Sequence, residues 1–161
     1  SKRDLYISVS SSPVTRYQTF KRLTSKNIYY PNLFQSSAKV SKFSLLNEGI
    51  YLGEFTTIEA NATLGKFCFI NSHSHIGHDS NVGKFSVLGG SVMINGNCDI
   101  QEFCLLGSSV TVINGKKIGK GSVIQAGTCV TQNIPPYSFV SGNPLKIMPV
   151  QILGKKFIFS E

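Results

Sequence analysis

Three imidazoles fall within six residues, at His73, His75 and His78, and an acid follows directly at Asp79. An imidazole changes charge near neutral pH, so such a cluster offers a general base or a set of metal ligands. His73 and His78 have an H-x4-H spacing that zinc can use. A second chemical feature lies downstream. From Thr111 to Ser160 there are six basic residues, Lys116, Lys117, Lys120, Lys146, Lys155 and Lys156, and no acidic one. With a formal charge of +8 for the whole chain, this excess favours an anionic partner such as a phosphorylated cofactor, or else it is a solvated basic face. Aromatics are not interleaved with basic runs and no nucleic-acid-binding module is recognisable, so no nucleic acid is expected as partner. The four cysteines form no CxxC pair and are expected to be reduced, structural thiols.

The elements that must hold these groups are set by a repeat. In steps of six from Val40 through Leu46, Ile76 and Ile94 to Val130, all sixteen positions are Val, Ile or Leu. Two residues earlier, Ala, Ser, Thr or Cys fills twelve of the sixteen sites, among them Cys68, Cys98 and Cys104. Gly often follows the aliphatic, as at Gly53, Gly77, Gly83 and Gly107. Side chains alternate along a strand, so the aliphatic and the small residue both face inward. Tight corners between strands are then expected at the third and fourth positions counted from the Gly or Asn slot, in residues tolerant of unusual dihedrals. Three hexapeptides make one coil of 18 residues, and sixteen make a little over five, a parallel β-solenoid spanning 34–135 and roughly 25 Å tall.

The flanks have a different texture. Leu5 to Val9 reads as a short strand, and Ser12 as N-cap with Pro13 at the first helical position predicts a helix to about Thr24, with Tyr17, Phe20 and Leu23 as its apolar stripe. This strand and helix must pack on something else. Gln132 to Met148 is punctuated by Pro and Gly and is not expected to continue the coil. The region 136–161 is expected to form a cofactor loop and tail. No run approaches the roughly 18 apolar residues that cross a bilayer, and no signal sequence opens the chain, so no membrane insertion and a cytoplasmic location are expected.

The [Leu/Ile/Val]-Gly-x4 pattern resembles the hexapeptide-repeat family, which implies a left-handed β-helix and a homotrimer. Val130 to Met148, VTQNIPPYSFVSGNPLKIM, is similar to the closing segment of its acetyl-CoA-dependent members, V-T-x-D-I-P-P-x-S-x-V-x-G-N-P-A-K, departing at Asn133 and Leu145. Ile70 to Gly83, INSHSHIGHDSNVG, resembles the stretch around the catalytic histidine of the sialic acid O-acetyltransferase and UDP-4-amino-sugar N-acetyltransferase branch. The resemblance implies His78 as general base, Asp79 as its acidic neighbour and Asn71 as a contact of the acceptor sugar, with acetyl-CoA as donor and a role in polysaccharide biosynthesis. This branch often has a second histidine nine residues after the base, where Val87 stands here. It also has a Rossmann-like domain ahead of the β-helix. Residues 1–30 resemble only a remnant of that domain, and no GxGxxG occurs.

Steps of 18 from His78 reach Gly96 and Asn114 at the same corner. Gly96 is expected to let the thioester approach the backbone and to offer an N–H to the developing oxyanion. Ser108, Ala126 and Pro144 form a second ladder on another corner. One chain's first ladder and a neighbour's second would line the cofactor groove, with the phosphates near Lys146 or the Lys116 to Lys120 turn. His73 and His75 are expected to decorate the outside, and His78 without the motif is more readily read as a surface corner residue. The expected activity is acetyl transfer to the amino or hydroxyl group of a sugar, without a metal. Three alternatives remain open. A γ-carbonic-anhydrase-like hydratase would want its third zinc ligand where Ser37 stands. The others are a non-catalytic trimeric scaffold and a transferase that takes acyl chains from a carrier protein.

Overall fold

The computed structural model describes residues 3–4, 12–23 and 28–150. Each hexapeptide gives one two-residue strand, because only the aliphatic and the residue before it are extended before the chain turns. Residues eighteen apart pair in parallel, as Asn81 with Asp99 and Val82 with Ile100. Three sheets result. The first stacks Leu33–Phe34, Tyr51–Leu52, Phe69–Ile70, Val87–Leu88, Leu105–Leu106, Val123–Ile124 and Ser138–Ser141, and ends in the antiparallel Lys146–Pro149. The second runs from Lys39–Val40 through His75–Ile76 to Cys129–Val130, and the third from Leu45–Leu46 through Asn81–Val82 to Lys117–Ile118. Together they form a left-handed β-helix of about six turns.

The coil continues for two further sides beyond Val130. A step of six from Val130 falls on Pro136, which cannot serve as a strand residue. The chain instead drops two residues: Ile134 pairs with Ile118, and Val140 pairs with Ile124. Both are buried at the inward position. Pro136 and Tyr137 are the turn residues between them, with Pro135 just before, where no ladder N–H is required.

Inside the prism the aliphatic ladder from Leu52 to Val130 is fully buried. The small inward residues do more than fit. Ser80 Oγ donates to Asn95 O at 2.9 Å and accepts the Cys98 N–H at 3.0 Å, so it satisfies two buried backbone groups of the next coil. Ser74 and Ser86 do the same. All four cysteines are free thiols, and burial pushes the Cys68 and Cys104 thiols up to about 12, which keeps them protonated and inert.

The turn residues are the second and third positions after the aliphatic, one earlier than expected. The second of them takes a left-handed φ at each corner from Gly49 to Gly127, including Asn61 at 58°, Asp79 at 57° and, against expectation, Phe55, Phe67, Phe85 and Phe103 at 56–60°. The glycines that follow the aliphatics do not carry that conformation. A Cβ on Gly83 would stand 2.4 Å from the Glu102 nitrogen, so coil spacing, not dihedral freedom, excludes a side chain there.

The bulky left-handed residues have a use. Phe67, Phe85 and Phe103 stack up one corner at centroid spacings of 5.0 and 5.4 Å. Helix α1 (Pro13–Leu23) lies across them through Tyr17 and Phe20. It starts as expected, with Ser12 Oγ accepting the Thr15 N–H at 3.5 Å. Leu23 is outside the aromatic cluster. Its place on the inner stripe goes to Arg16, whose buried guanidinium donates twice to Phe67 O at 3.1 and 3.2 Å and lies over the Phe69 ring. The expected strand at Leu5–Val9 lies outside the described residues, while Arg3–Asp4 pairs in parallel with Ile28–Tyr29. Among the described residues no helix is long and apolar enough to cross a membrane.

Phe85 is 4% exposed and Phe55 is 60% exposed, although both sit in the same left-handed corner conformation. Phe85→Ala should therefore cost about 3–5 kcal/mol through the cavity beneath α1. Phe55→Ala should cost under about 1 kcal/mol. Denaturant midpoints of the two variants, which share any backbone penalty of alanine at positive φ, measure the difference.

Candidate active site

His78 and Asp79 are the two turn residues between His75–Ile76 and Asn81–Val82. On a straight strand, neighbours point to opposite faces. Here the left-handed φ of Asp79 brings the two side chains together, and Asp79 Oδ2 lies 2.8 Å from His78 Nδ1. A carboxylate only accepts, so this contact assigns the neutral imidazole's proton to Nδ1 and leaves Nε2 as the free base. Hydrogen bonds, first from His78 and then from Asn61, hold the Asp79 carboxyl below its usual range. The folded state therefore favours the ionised acid. Its contribution to stability is present above the ordinary carboxyl range and is lost as pH falls through the folded value.

Nε2 lies over the next coil. A Cβ built on Gly96 would stand 2.5 Å from it, so the missing side chain at this corner is what admits the imidazole. Gly96 thus serves His78 directly, in addition to any approach of a donor. Asn97 N–H donates to His78 O and Gly115 N–H to Gly96 O, carrying the corner on to exposed Asn114.

Two residues that the motifs do not single out complete the surroundings. Glu59 Oε2 accepts the His78 backbone N–H at 2.9 Å, and its other oxygen is 3.6 Å from His75 Nε2. His75 is thus half-buried beside the site, not simply an outer decoration. Asn61 Nδ2 donates to Asp79 Oδ1 at 3.0 Å. Both belong to the coil before, at 18 or 19 residues' separation, the interval that marks Gly96 in the forward direction and leads to these two when taken backwards. His73 is exposed, on the preceding corner, and its ring lies tilted against Phe55 with centroids 5.1 Å apart. Ser37, at the third-ligand position of a zinc hydratase, accepts the Phe55 N–H at 3.0 Å.

Asn71, Ser108 and Ala126 are exposed and occupy that preceding corner, across the second sheet from His78. The single chain does not bring them to the imidazole. Near Ala126 a cavity of about 440 Å³ is lined by Cys129, Thr131, Gln132, Asn143, Pro144 and Leu145. Asn143 closes this end by accepting the Cys129 N–H and donating to Gly127 O. Lys146 is exposed beside it. The Lys116 to Lys120 turn is less basic than its own sequence implies. Lys117 pairs with Asp99 at 3.1 Å and Lys120 with Glu102 at 2.8 Å, acids that stand one coil earlier.

No family model matches the chain. YvoF of Bacillus subtilis, an acetyltransferase by name, is 31% identical over 137 residues, which is 84% of this chain and 71% of YvoF. The chain belongs to the hexapeptide-repeat acetyltransferases. A variant of perosamine N-acetyltransferase from Caulobacter crescentus, solved with CoA and GDP-perosamine, superposes with a TM-score of 0.87 at 25% identity, over 90% of this chain and 69% of that one. The acetyltransferase domain of PglB from Neisseria gonorrhoeae, solved with acetyl coenzyme A, shares the fold with a TM-score of 0.82 at 21% identity, over 86% and 68%. The γ-carbonic-anhydrase-like and scaffold readings are not favoured for a hexapeptide-repeat acetyltransferase of this kind.

Gly96→Ala should leave the fold assembled and displace the imidazole. Turnover should drop about 100-fold, the scale set by misplacing a catalytic group by an ångström or so. Steady-state rates alongside a thermal melt separate this from simple unfolding.

Proposed function

We propose that this acetyltransferase moves the acetyl group of acetyl-CoA directly to the amino or hydroxyl group of a sugar, most naturally a nucleotide-linked amino sugar. The observation that carries the reading is the His78 imidazole, bound at Nδ1 by Asp79, with Nε2 free above Gly96. The likeness to an enzyme solved with CoA and GDP-perosamine supports the substrate class.

The donor supplies an activated acyl carbon and a thiolate leaving group. His78 Nε2 takes the proton of the acceptor nitrogen as the new N–C bond forms and the C–S bond breaks, and returns it to the departing sulfur. Asp79 holds the imidazolium that forms meanwhile and stays ionised, its carboxyl held low. The backbone at Gly96 and Asn114 lies along the same corner and is our candidate for the thioester end. Ser108, Ala126 and the cavity at Pro144 would take the pantetheine, and Lys146 the phosphates. Lys146 is favoured over Lys117 and Lys120 because those two are already paired with acids.

Asn71 and the Ser108 ladder reach a His78 corner only if another copy supplies them, so we read the active form as a homotrimer with grooves between subunits. A cytoplasmic enzyme feeding polysaccharide biosynthesis fits this chemistry. Sedimentation should show a trimer at micromolar concentration, and a stable, active monomer would remove the shared-groove reading.

His78→Ala should lower acetyl transfer about 10²- to 10⁴-fold while acetyl-CoA still binds. The side chain is outside the aliphatic ladder, so stability should hardly change. His73→Ala is the matched control, expected to alter turnover only modestly. His75→Ala cannot serve as one, because of its proximity to Glu59. Assays against 3-amino and 4-amino nucleotide sugars and sialic acids identify the acceptor. Normal turnover by His78→Ala with loss in His73→Ala would move the catalytic assignment elsewhere.

A further inference from the structure

We infer that Asn61 is a positioning residue for the transfer reaction, holding the Asp79 carboxylate from the coil beneath in the orientation that accepts the hydrogen bond of the His78 Nδ1–H. The inference rests on His78 being the base. Its geometry is a relay of two hydrogen bonds, Asn61 Nδ2 to Asp79 Oδ1 at 3.0 Å and Asp79 Oδ2 to His78 Nδ1 at 2.8 Å. The two donors take different oxygens of one carboxylate, which fixes its rotation about the Cβ–Cγ bond. Without the amide, a half-exposed aspartate has no partner on its other oxygen to keep the plane aligned with the ring.

The neighbouring groups do not duplicate this role. Glu59, from the same lower corner, spends one oxygen on the His78 backbone N–H and has the other toward His75, so it anchors the main chain and not the ring. From the coil above, the site receives Gly96 and the backbone N–H of Asn97. Among the described residues, the other titratable groups beside the pair are Glu59 and, through it, His75. Asn61 is the neighbour whose side chain sets the carboxylate itself.

A purely conformational reading exists, because Asn61 has φ 58° and asparagine tolerates that region. Two substitutions test the relay. Asn61→Gly keeps the left-handed turn and removes the amide. Asn61→Asp keeps the turn and the shape but sets a second carboxylate against the first. Two carboxylates at this distance share a proton, and the added negative charge also favours the imidazolium. If the amide acts only through backbone conformation, Asn61→Gly should not change the chemistry, whereas the charge of Asn61→Asp acts on the imidazole under either reading and tests the electrostatics of the pair.

The test is steady-state kinetics across pH on the intact protein with acetyl-CoA and the acceptor that supports turnover, using His78→Ala as reference. Asn61→Gly should lose roughly 10-fold in kcat with KM for both substrates little changed. Asn61→Asp should move the acid limb of kcat/KM toward higher pH. On an Asp79→Asn background, Asn61→Gly should add almost nothing, since the relay is already broken. Wild-type kcat in Asn61→Gly, with His78→Ala inactive, overturns the inference and leaves the base assignment standing. An effect confined to KM also overturns it, in favour of a substrate contact. An active His78→Ala instead removes the reading on which it rests. Melting curves guard against misfolding of Asn61→Gly, and its lack of further effect on the Asp79→Asn background separates the relay from a backbone role, which would add its own loss.

Discussion

The distance between successive coils, about 4.8 Å, governs this molecule. At that spacing the backbone of one corner lies against the backbone of the next, and a Cβ on Gly77, Gly83 or Gly107 would come within 2.7 Å of main-chain atoms. The same closeness makes eighteen residues a contact distance. Asn61 meets Asp79, Lys66 meets Glu48, Asn81 meets Asp99, and the His78 ring lies over Gly96, each pair one coil apart. Side chains that are remote in sequence become nearest neighbours with little freedom to separate. A site built on such a corner is assembled by the stacking itself.

Corner conformation adds the second ingredient. A left-handed residue after a right-handed one swings its side chain to the side of its predecessor, so adjacent positions cooperate where a strand would oppose them. At one corner this yields the His78–Asp79 contact. At another it yields the column of Phe67, Phe85 and Phe103 that receives α1. One backbone device thus builds both the candidate site and the attachment of the helix.

Much of this is legible from residue types. The aliphatic period from Val40 to Val130 defines the prism, because the interior admits one inward branched residue per strand and little else. Ser12 and Pro13 mark the start of α1, since capping is a local matter. The motif around His78 points to the base. What a linear reading misses depends on vertical neighbours. Asn61 and Glu59 stand eighteen and nineteen residues before their partners, and the acids that neutralise Lys117 and Lys120 lie outside the acid-free stretch that makes those lysines conspicuous. The last turn is hidden for another reason: dropping two residues at a proline corner breaks the count of six while preserving the stack. Arg16 escapes notice because a cation on an apolar stripe reads as solvent-facing, whereas a carbonyl and an aromatic face can hold it in the interior with its pKa lowered to about 10.

The dropped pair at the last turn also shows how this architecture can change length. Between Asn61 and His78, an insertion of any number other than a whole coil would set a different corner beneath the imidazole, and a whole coil would keep the corner but put a new residue in the place of Asn61. Above Gly96 and Asn114 the register positions nothing further at the His78 corner, and there the chain has accepted a shortened step. Directly beneath the site, growth of the column is quantised; at its far end it is not. Families built on such coils would then be expected to vary by eighteens on one side of the imidazole and irregularly on the other, an arithmetic imposed by the corner and independent of the substrate.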